Sequence, residues 1–172
     1  MRIIPLSQAA EPQLSPDIVW DGEKGDLALS ALTDPINPAG LQAERPLETA
    51  VLIALMTDIR VDPTELRDGD RNKGWPGDGF DLEPGEHPLG SKLWLLRRSA
   101  LAPDVEQKAV EYAEEALRPL IDQKVFARFD VAAAADRVRN RLDLTVQGYG
   151  RDGTQTYHEK FAVLWDRLGA PD

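Results

Sequence analysis

The sequence predicts an α+β domain: helices packed on one face of a small antiparallel sheet, preceded by an N-terminal arm. Three observations carry this prediction. Residues 103–123 (PDVEQKAVEYAEEALRPLIDQ) repeat apolar side chains at helical spacing. Residues 141–147 (RLDLTVQ) alternate strictly, with Leu142, Leu144 and Val146 on one face and Asp143, Thr145 and Gln147 on the other. Helical segments come first and strand-like segments follow as a meander, the order expected of helices segregated to one side of an antiparallel sheet.

Residues 1–46 read as an irregular arm, because prolines at 5, 12, 16, 35, 38 and 46 interrupt any long element. Within it, 17-DIVW-20 and 26-DLALS-30 flank 21-DGEKG-25, the pattern of a short hairpin around an Asp-Gly turn. Leu27 and Leu29 are expected on its buried face. Such an arm is either an extra strand pair on the domain or an extension that a partner orders.

Residues 47–172 read as one α+β domain. A helix is expected from about 47 to 58: Pro46 suits a first helical turn, Glu48 complements the helix N-terminus, and Leu47, Ala50, Val51, Ala54 and Leu55 form one stripe. Leu52, Ile53 and Met56 widen that stripe, so the helix should be almost wholly buried. Residues 61–89 read as a long loop, which in a compact domain is usually functional or ordered by a partner. Ser91 is placed to cap a short helix over 92–99, with a strand as the competing reading. Pro103 starts the long helix, with Asp104 and Glu106 in its first turn and Pro119 near its end. Strands are expected at about 125–134, 138–149 and 153–164, the first with Val125, Ala127, Phe129 and Val131 on one face. The turn 151-RDG-153 joins the last two, and Phe161, Leu164, Trp165 and Leu168 also fit a closing helical turn.

Composition bounds the chemistry. The net charge is −10 and there is no cysteine, so phosphate-backbone binding, disulfides and cysteine-based zinc or redox chemistry are not expected. No stretch approaches a membrane span, and MRIIPLSQAAEPQ lacks the apolar run of a secretory leader. Neither a nucleic-acid nor a membrane partner is therefore expected, and no cofactor is implied.

The densest local signal is 68-DGDRNKGWPGDGFD-81. As a calcium loop it places Asp68, Asp70 and Asn72 correctly, but Lys73 stands where the sharp turn needs glycine and Gly79 where a bidentate glutamate is needed. As a catalytic loop it offers Asp78, with Glu86 nearby, but 30 acidic residues in 172 make neighbouring carboxylates commonplace. His87 and His158 read as exposed polar residues. A docking role remains: Trp75, between Gly74 and Pro76, must pack back on its own domain or against a partner.

The ordered segments 49-TAVLIALMTDIR-60, 74-GWPGD-78, 89-LGSKLWLLRR-98 and 112-YAEEALRPLID-122 resemble the Mu-like phage and prophage baseplate proteins. These are relatives of the small wedge component, sometimes labelled lysozyme-like, of T-even phage baseplates. The resemblance runs from about Asp17 to Trp165. It implies a non-enzymatic component of a contractile tail, located in the virion's baseplate wedge and in the host cytoplasm during assembly. It implies several copies, contacts with other wedge proteins and the tail sheath, and initiation of sheath assembly by strand exchange. The T-even relatives carry a Glu-Pro-Arg grip at the end of the long helix. Here Glu114, Arg118 and Pro119 stand in a different order, and that grip is not carried over. Trp75, Asp78, Trp94, Arg97 and Arg98 are the expected loop-and-neck surface, either bracing the loop or meeting a partner. The alternatives are a cell-wall glycosidase and a divalent-metal-dependent binding module.

Overall fold

A computed structural model describes residues 16–20, 25–35, 38–42, 45–80, 82, 86–96, 103–138 and 141–164, without the side chains of residues 103 and 159–164. Among these residues the elements are β1 (Ile18–Trp20), β2 (Gly25–Leu27), α1 (Pro46–Met56), α2 (Leu93–Leu96), α3 (Pro103–Asp122), β3 (Arg128–Asp136), β4 (Arg141–Tyr149) and β5 (Gln155–Leu164). Strands β3, β4 and β5 form the expected antiparallel meander, and β1 pairs with β2 as a separate hairpin. The α+β architecture is therefore observed.

Helix α3 supplies the central layer. Its stripe of Val105, Ala109, Ala113, Ala116, Leu117 and Leu120 is buried, as the spacing predicts. That stripe packs against β3 and β4 on one side and α1 and α2 on the other. From the sheet, Leu142, Leu144 and Val146 enter the same core together with Tyr157. Helix α1 is close to the expected span and buries Ala50, Val51, Leu52, Ala54 and Leu55, but Leu47 is exposed. Leu47 occupies the first turn, where the helix emerges from the arm.

Helix α3 ends in a Schellman motif. Val125 N–H donates to Leu120 O at 2.9 Å, Lys124 N–H donates to Ile121 O at 2.8 Å, and Lys124 has φ 61°. Lysine in this left-handed position is strained by about 1–2 kcal/mol. Glycine there loses about 0.4–1 kcal/mol through the freer unfolded chain. Lys124→Gly is therefore expected to stabilise the fold by about 0.5 kcal/mol, read as a raised urea midpoint with an unchanged slope.

The Schellman turn sets where β3 begins. The strand starts at Arg128 rather than near residue 125, and Ala127 is exposed instead of facing the core. Phe126, absent from the expected apolar face, is instead among the largest fully buried side chains. Its ring lies 4.6 Å from that of Phe129, and both close over Gly148, where a Cβ would come within 2.7 Å of Phe126.

The described part of the arm lies on the domain. Asp17 is buried, and both its carboxylate oxygens accept the Arg45 N–H at 2.9 Å, immediately before α1. A carboxylate there complements the positive end of the helix. Ile18 N–H donates to Thr49 Oγ1 at 3.0 Å, and Ile18 and Trp20 pack against the core. The expected burial of Leu27 and Leu29 is not observed: Leu27 is 49% and Leu29 61% exposed, and Ala28 between them is buried. The alternation is real but its phase is opposite, because Ala28 is the residue whose backbone ties to both Asp17 and Gln42. The expected closing helical turn at Trp165 and Leu168 lies outside the described residues.

Candidate functional site

The long loop between α1 and α2 is closed at its neck. Thr57 is extended, Asp58 bridges Ser91 in parallel, Ser91 N–H donates to Thr57 O at 2.8 Å and Ile59 N–H donates to Ser91 O at 3.1 Å. The buried Ser91 hydroxyl serves both helices. It donates to Leu55 O at 2.6 Å, satisfying a carbonyl at the end of α1, and accepts Leu93 N–H at 3.3 Å, capping α2 as the sequence predicts. Gly90 makes this approach possible: its φ is +118°, and a Cβ there would stand 2.4 Å from Thr57 O.

Side chains tie the outgoing limb of the loop to α2 and to the segment 72–74. Trp94 is 7% exposed and donates its indole N–H to Ile59 O at 2.9 Å. Its expected surface position is thus an interior one that braces the neck. Lys73 Nζ sits 5.4 Å from the Trp94 ring centroid and 2.6 Å from Asp58 Oδ2. Asn72 pairs with Val61 as a strand would, accepting its N–H at 3.2 Å and donating to its carbonyl at 2.8 Å. Gly74, with φ +133°, rests on Arg60, whose Cβ would lie 2.8 Å from a Cβ at residue 74. Thr-Asp-x-Arg, Gly-Trp-x-Gly-Asp and Leu-Gly-Ser-x-Leu-Trp, far apart in sequence, therefore meet in one knot.

The tryptophan turn projects from that knot. Residues Pro76–Gly79 form a single 3-10 turn, with Asp78 N–H donating to Trp75 O at 3.2 Å. Asp78 Oδ1 accepts Leu89 N–H at 3.1 Å, stapling the turn to the returning limb. The Trp75 indole lies over Gly77, where a Cβ would be 2.2 Å from Nε1, so only glycine admits the ring. Trp75 nevertheless remains 54% exposed, and Phe80 and Leu82 beyond it are exposed too. Trp75 and Asp78 are thus brought together at the tip, Trp94 is buried at the neck against Ile59 and Lys73, and Arg97 and Arg98 fall outside the described residues.

Two further loop carboxylates, Asp62 and Asp70, shape backbone. Asp70 Oδ2 accepts Arg67 N–H at 3.0 Å. The Thr64 hydroxyl and amide hold the Asp62 carboxyl below the ordinary carboxylate value. Of the residues that match calcium-loop positions in the sequence, Asp70 is thus engaged in a turn and Asn72 in its pairing with Val61. Among the described residues no group of three His, Cys, Asp or Glu side chains is placed to hold a metal ion. A cavity of about 270 Å³ separates the knot from α3, and Lys92 on its wall links Glu65 at 3.4 Å to Glu115 at 3.6 Å. Asn72 and Asp17 were not legible as structural residues: each acts on backbone distant in sequence, and no local pattern marks such a contact.

Fold and knot together define a small α+β domain whose distinguishing surface is a braced loop with a tryptophan at its tip. Residues 47–155 match the family described as Phage protein GP46, and the chain belongs to that family. It is 38% identical over 102 residues to the baseplate protein gp46 of Escherichia phage Mu, covering 58% of this chain and 63% of that protein. It is 32% identical over 117 residues to the Mu-like prophage FluMu protein gp46 of Haemophilus influenzae, covering 68% of this chain and 73% of that one. The chain thus matches a little under two thirds of the length of the Mu protein. The resemblance to Mu-like baseplate proteins read from the sequence is shown by these matches.

Proposed function

We propose that this chain is a non-enzymatic structural component of a contractile phage tail baseplate, sits in the wedge, and helps to start sheath assembly by strand pairing. Membership of a family with baseplate-named relatives carries the reading. The fold gives it a mechanism. The meander ends in two outer strands, and unpaired backbone groups on a sheet edge recruit a strand from another chain. Other wedge proteins and the sheath are the partners, in several copies per baseplate, assembled in the host cytoplasm and retained in the virion.

Deleting the gene from a tail-producing phage or prophage is expected to abolish sheathed tails seen by electron microscopy, with rescue by the full chain. Normal contractile tails in the deletion would overturn the reading. Within it, Trp75 is the docking residue and Asp78 holds its turn. Trp75→Ala removes a half-exposed ring, so the stability loss is expected to stay near 1 kcal/mol, roughly the value of partial burial. Incorporation into tails is expected to fall much further than that loss explains. Unchanged incorporation, measured by immunoblot of purified tails, would assign Trp75 to loop order alone.

A further inference from the structure

The two outer edges of the C-terminal sheet differ. Glu106, in the first turn of α3, reaches round β3 and accepts the Ala135 N–H on Oε1 at 2.9 Å. Because N–H directions alternate along a strand, the outward set on β3 is Phe129, Val131, Ala133 and Ala135. The register carries this alternation across the sheet. Residues 141, 143, 145, 147 and 149 of β4 bond towards β3, and 142, 144, 146 and 148 bond towards β5. Gly150 N–H, donating to Thr154 O at 2.9 Å, agrees with that phase. On β5 the outward N–H groups are therefore those of His158, Lys160 and Ala162.

Strand β3 carries the devices that blunt an edge. Glu106 occupies its outward N–H at one end. At the other, Arg128 is ion-paired with Asp130 and stacked 3.7 Å over the Tyr149 ring. Helix α3 also packs more on β3 than on β4. Strand β5 is the longer of the two outer strands; it carries Glu159 and Lys160 at its middle and ends in the uncharged run 161-FAVL-164. We infer that, within the strand-pairing function proposed above, Glu106 closes the β3 edge and an extended segment of a neighbouring tail subunit adds to the outer edge of β5. Main-chain hydrogen bonds to His158, Lys160 and Ala162 hold that segment.

Co-purification of the full chain with the co-expressed tail sheath subunit tests both levels. No capture by the unaltered chain would overturn strand pairing with the sheath, and with it this inference. Given capture, His158→Pro removes one outward N–H on β5 while sparing the ladder to β4, and Ala133→Pro is the matching change on β3. His158→Pro is expected to weaken capture at least about tenfold, and Ala133→Pro by less than about twofold. Any other pattern between two folded variants overturns the edge assignment while leaving strand pairing standing. Should a proline variant not fold, His158→Cys and Ala132→Cys place single thiols on the two strands of a chain that has no cysteine, at exposed positions. With a photo-crosslinker attached, the sheath is expected to be trapped from residue 158; trapping from 132 alone overturns the assignment. Glu106→Ala is expected to speed amide exchange at Ala135 at least about tenfold relative to Leu144, and an unchanged ratio would remove Glu106 as the guard.

Discussion

Gly90→Ala is expected to cost about 3 kcal/mol or more, a large part of the roughly 5–15 kcal/mol that holds a domain together. Two effects coincide. At φ +118° an alanine is strained in any surroundings, and its Cβ would stand 2.4 Å from Thr57 O and 3.0 Å from Ile59 N. Those atoms are backbone, held by the hydrogen bonds that close the neck, so no side-chain rotation relieves the overlap. Relief requires Ser91 to move away from Thr57, which gives up the bridge and also leaves the carbonyl of Leu55 without its hydroxyl donor. Gly69→Ala is the control, since Gly69 has φ +86° and a Cβ added there would meet nothing within 4 Å. It is expected to cost only the conformational strain, about 1 kcal/mol. Urea unfolding of both variants gives the comparison, and equal midpoints would show that the neck tolerates the added methyl group.

Phe126→Ala is expected to cost about 3–5 kcal/mol, the range for removing a buried aromatic ring and leaving a cavity. Phe126 is 1% exposed and sits where the end of α3, the start of β3 and the glycine of β4 converge. Collapse into the hole is restricted because the Schellman turn on one side and the β3–β4 ladder on the other fix the backbone. Phe126→Leu keeps most of the volume and is expected to cost less than half as much. Thermal and urea unfolding check both values. A loss below about 1 kcal/mol for the alanine variant would mean that this end of the core repacks freely.

How far the fold was legible depended on the length of each pattern. The α3 stripe runs over about four turns and the β4 alternation over a whole strand, so one residue of error cannot hide the burial face. The β3 phase was correct at Phe129 and Val131 but failed when carried back to Ala127. There the chain has left strand geometry, and a turn pinned by a left-handed lysine has no periodicity to reveal it. The arm failed similarly: Leu27 and Leu29 looked like a buried face, whereas the hydrogen bonds from Ala28 turn that strand over. In the loop, each motif was visible but not their meeting. Asn72 reaches Val61 across 11 residues and Ser91 reaches Leu55 across 36, contacts that leave no local signature. Trp94 shows the consequence. The sequence placed it on a loop-and-neck surface that either braces the loop or meets a partner, and its indole bond to the Ile59 carbonyl makes it an interior brace.

The closed neck has a practical corollary. Since Asp58 and Ser91 are joined by backbone hydrogen bonds, the intervening chain leaves and re-enters the domain at one point. Lengthening such a loop changes its closure free energy only slowly, by about 0.6 kcal/mol per doubling. The exposed turn at Asp68–Gly69 lies in open space, far along that loop from the neck. A short epitope inserted there is expected to leave the helices, the meander and its outer strands in place. That turn is therefore a natural attachment point for a label that locates the subunit in images of an assembled particle.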